Sequence, residues 1–166
     1  MNTKKNTSCG VLAAVYAALT LLAAPWSFGA AQFRISEALC VFCWLDPALI
    51  PGPVLGCLLA NCFSPVSALD LLFGTAATLL GCLTAARIRK KWLFPLPIIL
   101  FNALLVGIEL SLTLSSDAAA KGFLLYAGQV ALGEAAVLYL LGLPLLYLLE
   151  KRGRKLLEKL PGKNIE

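Results

Sequence analysis

The sequence predicts an all-α integral membrane protein of six transmembrane helices with both termini cytoplasmic. Three observations predict it. Of the 166 residues, 60% are hydrophobic and only 14% charged, where a soluble domain carries about 25% charged residues. The charges collect at a few points between long apolar runs, as in a chain that crosses a bilayer several times. Under a six-span count the basic residues also separate by side. Lys4, Lys5, the Arg87–Lys91 cluster and the C-terminal tail share one side, and only Arg34 and Lys121 lie opposite. Excess Lys and Arg mark the cytoplasmic side. Five spans, with the second and third merged into one kinked helix, would export the Arg87–Lys91 cluster.

The spans follow in order. The first covers about Cys9–Ala24 and stops at Pro25; the apolar run after Lys4 and Lys5 resembles a signal peptide but reads as a retained helix, because more spans follow. An irregular loop, Pro25–Phe33, leads to a short second span, Arg34–Leu45, that ends at Asp46-Pro47. The third is Ala48–Cys62, with Pro51-Gly52-Pro53 near its start, and Phe63–Ala68 is a turn. The fourth, Leu69–Ala86, ends in the Arg87–Lys91 cluster. The fifth is Leu93–Leu114. A polar connection, Ser115–Lys121, leads to the sixth, Gly122–Leu149. The domain plan is therefore a cytoplasmic N-terminus (1–8), one membrane domain (9–149) and a basic cytoplasmic tail (150–166) that forms a short interfacial helix.

Polar residues inside these spans carry the functional reading. A carboxylate at a helix centre costs roughly 2.5–3.5 kcal/mol on insertion scales, so an intramembrane acid is a functional hypothesis by default. Asn102 and Glu109 are seven residues apart, close to two full turns, and leave the fifth helix on one face. Glu109 lies about six residues, roughly 9 Å, below the outer end of its span. Gln129 lies at nearly the same level on the sixth, with Asn102 and Glu134 deeper. Arg34 and Glu37 open the second span from outside, Asn61 closes the third there, and Asp70 opens the fourth. The inner half has no such acids. A transmembrane proton relay needs groups at every depth, so the distribution reads as a pocket open outward and closed below. Helix glue is the competing reading. Gln129 and Glu134 diverge by about 140°, so one of them pairs with a neighbouring helix if the other faces the cavity.

Other features narrow the classes. Gly10, Ala14 and Ala18, and likewise Ala13 and Ala17, repeat every four residues, a spacing that permits close helix approach in lipid. Most of the six cysteines lie in apolar segments and pack as small hydrophobes. Cys40-x-x-Cys43 has no second pair and the chain has no histidine, which argues against a metal site and a disulfide framework. The chain lacks GxxxxGK[ST], HExxH and GxSxG motifs, so neither ATP binding through a P-loop nor an enzyme is expected, and no cofactor is implied. The basic tail suits anionic lipid or a partner rather than nucleic acid.

Several stretches resemble the QueT family: Arg34-Ile-Ser-Glu37-Ala-Leu-Cys40; Ile50-Pro-Gly followed by Gly56-Cys-Leu-Leu-Ala-Asn61; Asp70-x-x-Phe73-Gly74-Thr-x-Ala77-Thr78; Pro95-Leu-Pro97 followed by Asn102-Ala-Leu-x-Val-Gly107-x-Glu109; and Gly133-Glu134-Ala. The resemblance covers roughly Cys9–Leu149, and the Cys40–Trp44 stretch departs from it. It implies a substrate-binding S-component of an energy-coupling factor (ECF) transporter in the cell membrane, most simply of a bacterium. Such a subunit has six helices and an outward site, and it docks through first-helix small residues, here Ala13 and Ala17, onto a transmembrane coupling subunit with two cytoplasmic ATPases. The implied ligand is a queuosine precursor, a 7-deazaguanine base or queuine. A carboxylate accepts in parallel from the adjacent N–H and NH2 donors of a guanine-like edge. The candidate ligand-binding residues are Arg34, Glu37, Asn61, Asp70, Asn102, Glu109, Gln129 and Glu134. Trp26, Phe28, Phe33 and Tyr126 are candidates for stacking or loop gating. A subunit or small transporter for another vitamin-like solute, and a membrane scaffold, remain as alternatives.

Overall fold

The computed structural model describes residues 3–29, 32–114 and 119–158, and is helical in every regular element described. The polar connection expected at 115–121 falls mostly outside the described residues, as does the tail beyond 158. Among the described residues, three helical stretches are long and apolar enough to cross a membrane: Lys5–Leu22, Lys91–Leu114 and Gly122–Arg152. Three shorter apolar stretches lie between them, Ile35–Leu45, Pro47–Asn61 and Asp70–Ala85.

The first helix, α1 (Thr3–Leu22), starts six residues earlier than the sequence suggests, because residues 3–8 continue the helix into its charged flank. A short α2 (Ala24–Ser27) follows, with Pro25 in its first turn, where proline's missing N–H is no loss. The second apolar stretch is not one α-helix. Ile35–Cys40 winds as a 3-10 helix and continues as α3 (Val41–Leu45). At about 2.0 Å per residue in 3-10 geometry and 1.5 Å in α, these eleven residues rise about 20 Å, more than an α-helix of that length. A 3-10 turn, Pro47–Leu49, is capped by the Asp46 carboxylate on the Ala48 N–H and leads to α4 (Pro51–Asn61). Then come α5 (Asp70–Ala85) and α6 (Pro95–Leu114). The last long stretch is α7 (Ala119–Val137), a π-helical turn Leu138–Gly142, and α8 (Leu143–Glu158). Pro144, just past the turn, has no N–H for an i−4 bond, and local widening is one way a helix absorbs that loss.

Contacts at glycines give the register between helices. A Cβ on Gly56 would lie 2.7 Å from the Ala13 carbonyl and from Tyr16 Cβ, and one on Gly52 would meet Leu12. Cys9 Sγ also donates to the Ala48 carbonyl. The offset stays near forty residues along the contact, so α1 and α4 run parallel and touching. A Cβ on Gly81 would lie 3.0 Å from Ile98 Cα, and one on Gly107 would lie 2.9 Å from Ala127 Cβ. These are the antiparallel contacts of α5 with α6 and of α6 with α7.

The two ends of the bundle differ. At one end Lys5 Nζ sits 2.9 Å from Asp46, Trp44 donates its indole N–H to the Ile88 carbonyl at 2.7 Å, and Lys91 pairs with Glu150 at 2.5 Å. The Lys5 ammonium and the Ala48 N–H hold the exposed Asp46 carboxyl below its usual range. Above this end lies an apolar core that includes Cys40, Val41, Cys82, Phe94, Ile98 and Leu146. Five of the six cysteines are buried, and all six are free thiols. The polar residues gather toward the other end.

Ala13 lies buried against α4 and Ala17 is half-buried, whereas Gly10, Ala14 and Ala18 face outward. At Ala13 the close approach that small residues allow is used within the chain, against Gly56.

Candidate functional site

The site is built where the segment after α2 meets the upper ends of α4, α5, α6 and α7. Arg34 is its hub. Its backbone is extended, and the Glu37 N–H returns to its carbonyl at 2.9 Å to start the 3-10 turn. Its guanidinium, 1% exposed, donates to the Ser27 carbonyl (3.4 Å) and to Cys57 Sγ (3.6 Å), lies 3.6 Å from Asp70 Oδ1, and covers the Phe28 ring at 5.6 Å. Glu37, Asp70, Glu109 and Glu134 all lie within its electrostatic reach. Burial of this arginine is tolerable because it is paired, hydrogen-bonded and stacked at once.

The helix registers explain the gathering of the acids. With Gly81 opposite Ile98, antiparallel pairing brings Asp70 level with Glu109, and these side chains are in reach of each other. With Gly107 opposite Ala127, Gln129 falls opposite position 105, about one turn deeper than Glu109. Gly74 is the gap through which Asn61 and Arg34 approach α5: a Cβ there would lie 2.6 Å from Asn61 Nδ2 and 3.3 Å from Arg34 Nη1.

The residues expected at the site divide by how well their polar atoms are satisfied. Glu37 is fully engaged. Tyr16 donates to its Oε1 at 2.5 Å, Thr78 to the same oxygen at 3.1 Å, and Cys40 to Oε2 at 3.1 Å. Its acceptor positions are thus occupied by partners within the fold. Asp70 accepts from Ser64 on one oxygen and faces Arg34 with the other. Asn61 donates to the Asp70 carbonyl at 2.8 Å and leaves Oδ1 unmet. Asn102 is buried on the face of α6 shared with Glu109, and its amide donates one turn back to Ile98 at 3.2 Å. Gln129 is half-buried with its carbonyl oxygen unmet. Glu109 and Glu134 are 0% and 1% exposed, and none of their four oxygens has a hydrogen-bond partner.

The aromatic candidates separate too. Phe28 is buried beneath Arg34. Trp26 and Phe33 are exposed and line a lateral apolar groove of about 490 Å³ with Ala136, Val137 and Leu140. Tyr126 packs on the small cluster of Ala77, Val106, Leu110 and Val130. A second groove, about 670 Å³ between α1 and Leu39, Phe42 and Leu49, is open and apolar and lies away from the acids. Chemistry rather than open volume marks the site, since buried polar groups without partners are rare in folded proteins.

Sequence reasoning missed several members. Gln32 is 1% exposed, has φ 47° and leaves its amide nitrogen unmet. Ser27 and Thr75 carry unmet hydroxyls, and Cys57 Sγ accepts from Arg34 and Asn61 and lies 3.3 Å from the Thr78 hydroxyl oxygen. Tyr16 and Thr20 carried a readable signal, polar groups four apart in an apolar helix; they bond to Glu37 and, at 2.6 Å, to Ser36. Gln32 carried none, because a glutamine in a loop is unremarkable by sequence.

A family model described as QueT transporter matches residues 7–151. Neither the curated proteins nor the solved structures compared with the chain give a match.

Proposed function

The chain belongs to the QueT transporter family, and from that premise we propose that it is the membrane-embedded substrate-binding subunit of an ECF transporter importing a queuosine precursor, a 7-deazaguanine base or queuine. The observation that carries this reading is the pair Glu109 and Glu134, buried with four unmet oxygens. Helix glue pairs its polar groups within the fold, as Glu37 does; a site awaiting a ligand leaves them unpaired. A guanine-type edge brings adjacent N–H donors to such carboxylates, and in a dry site the bidentate pairing is strong. The apolar layer below supports a site closed toward the inner end.

The topology we propose has six spans. Lys5, Asp46, Lys91 and Glu150 share one end of the bundle, and the excess of Lys and Arg there supports a cytoplasmic placement of that end. The Arg34–Asp70 end then faces outward. A transmembrane coupling subunit with two ATPases would meet the outward stripe of Gly10, Ala14 and Ala18 on α1. Titration of purified protein with the deazaguanine base and with queuine, together with mass spectrometry of any solute that co-purifies, tests the reading. Saturable binding supports it; absence of binding to either, with a chemically unrelated solute retained, overturns it.

A further inference from the structure

We propose that the end of the bundle opposite the polar site carries a seat for the phosphodiester headgroup of an anionic phospholipid, formed by Lys91 and Lys151 around Tyr147. The inference does not depend on the solute taken at the other end. A cleft of about 420 Å³ lies here, lined by Lys91, Tyr147, Glu150 and Lys151. Two segments meet to make it: a 3-10 turn, Lys91–Leu93, that leads into α6, and the middle of α8. Lys91 is fixed in place. Its ammonium pairs with Glu150 at 2.5 Å and lies 5.8 Å from the centre of the Tyr147 ring. The bond to Glu150 uses one of its three N–H donors and leaves two for another acceptor.

Charge sets the sign of that acceptor. Glu150 balances Lys91, so the cleft keeps the positive charge of Lys151. Arg89, Lys90 and Arg152 flank the two lysines in sequence and are exposed, as Lys151 is. Among the described residues none of these four cations enters an ion pair. An anion in the cleft therefore meets unbalanced positive charge, whereas a zwitterionic headgroup brings its own ammonium against it. The surroundings favour a lipid over a soluble anion. Trp92 and Tyr147 are 58% and 55% exposed, and such rings concentrate at membrane–water boundaries. Trp92 is held from behind, its carbonyl accepting from the Tyr139 hydroxyl at 3.1 Å. The same two segments carry exposed leucines, Leu96 and Leu100 on α6 and Leu148 on α8. A phospholipid meets both parts, its phosphate on the lysines and its acyl chains along the leucines. Under the proposed orientation the seat faces the cytoplasmic leaflet, where anionic headgroups meet basic pockets between helices.

The test offers the purified full-length chain equal amounts of phosphatidylglycerol and phosphatidylcholine in detergent and counts retained lipid by native mass spectrometry. Phosphatidylglycerol should be retained about fivefold over phosphatidylcholine, the factor expected of one basic side chain at an anionic surface. Lys151→Gln should erase most of that preference. Glu150→Gln should raise it, because Lys91 loses its counter-charge. Lys5→Gln, at the same end but paired with Asp46 and outside the cleft, should leave it unchanged. Lys151 is exposed and unpaired, so its variant should melt with the parent; if it does not, the Glu150→Gln arm decides. Equal retention of the two lipids overturns the inference, as does an equal loss for Lys5→Gln and Lys151→Gln, which would mean diffuse surface charge. Displacement of the lipid by glycerol phosphate would assign the cleft to a soluble anion. Absence of lipid preference, with Lys151→Gln losing a co-purifying protein partner, would assign it to that partner. Either result overturns the lipid seat.

Discussion

Glu37→Gln and Glu109→Gln make the same chemical change at two acids that are both 0% exposed, and the structure predicts different outcomes. At Glu37 the carboxylate accepts from Tyr16, Thr78 and Cys40. An amide keeps one acceptor oxygen, which can retain Tyr16 and Thr78, but turns a donor toward Cys40 and removes the charge that strengthens the other two. Hydrogen bonds to charged groups contribute about 1.5–3 kcal/mol each, and the equivalent of one is lost. For a chain of this size 1 kcal/mol corresponds to about 2–4 °C, so Glu37→Gln should lower the melting temperature by roughly 3–12 °C. Its effect on affinity should be small once measured per folded molecule. At Glu109 no protein donor is lost, so thermal stability should hold or rise. Ligand affinity should fall at least about tenfold, or about 1.4 kcal/mol. The assay is paired: differential scanning fluorimetry and isothermal titration on the same detergent-solubilised preparation of each variant. A large melting-temperature fall for Glu109→Gln with unchanged affinity, or the converse at Glu37, would refute the division of the acids into structural and ligand-facing.

Gly74→Ala places a methyl 2.6 Å from Asn61 Nδ2, against ordinary contacts of 3.4 Å or more; it should break the Asn61–Asp70 hydrogen bond, cost about 1–3 kcal/mol of stability and weaken ligand binding, as thermal melts and titration will show. Ala14→Trp or Ala18→Trp should abolish uptake by cells while leaving binding to the isolated subunit intact, since both positions face outward from the bundle; normal uptake by both variants would remove that face as the coupling surface. A cysteine at position 89 should resist impermeant thiol reagents added outside intact cells and react after permeabilisation, and the reverse would invert the proposed orientation. The Lys5–Asp46 pair should persist at neutral pH and loosen as pH falls through the depressed Asp46 value, because protonation removes the charge that Lys5 holds; the Asp46 carboxyl resonance, followed by NMR titration, should therefore titrate below the usual carboxylate range.

Composition and charge pattern were enough to read an all-helical membrane chain, its helix order and most boundaries to within a few residues. These depend on local quantities, run length and the spacing of prolines and charges. The places where local reading failed have a local competitor. Six residues after Arg34 wind as 3-10 rather than α, which lengthens a stretch too short to reach far as an α-helix. Leu138–Gly142 opens into a π turn beside Pro144. Residues 3–8 join α1 although they are polar. That Asn102 and Glu109 share a buried face followed from helical periodicity alone. What periodicity leaves open is partnership. Glu37, Asp70, Glu109 and Glu134 read alike as acids in apolar runs, and nothing local distinguishes them. Tyr16, Thr78 and Cys40 reach Glu37 from three different segments, Arg34 reaches Asp70 across a loop, and the Gly81–Ile98 contact brings Asp70 level with Glu109. A hydrogen bond is decided by where two atoms meet to within a few tenths of an ångström, and only helix packing sets that. The sequence therefore determined that acids lie within apolar runs, and the tertiary structure decided which of them the fold engages and which it leaves unmet.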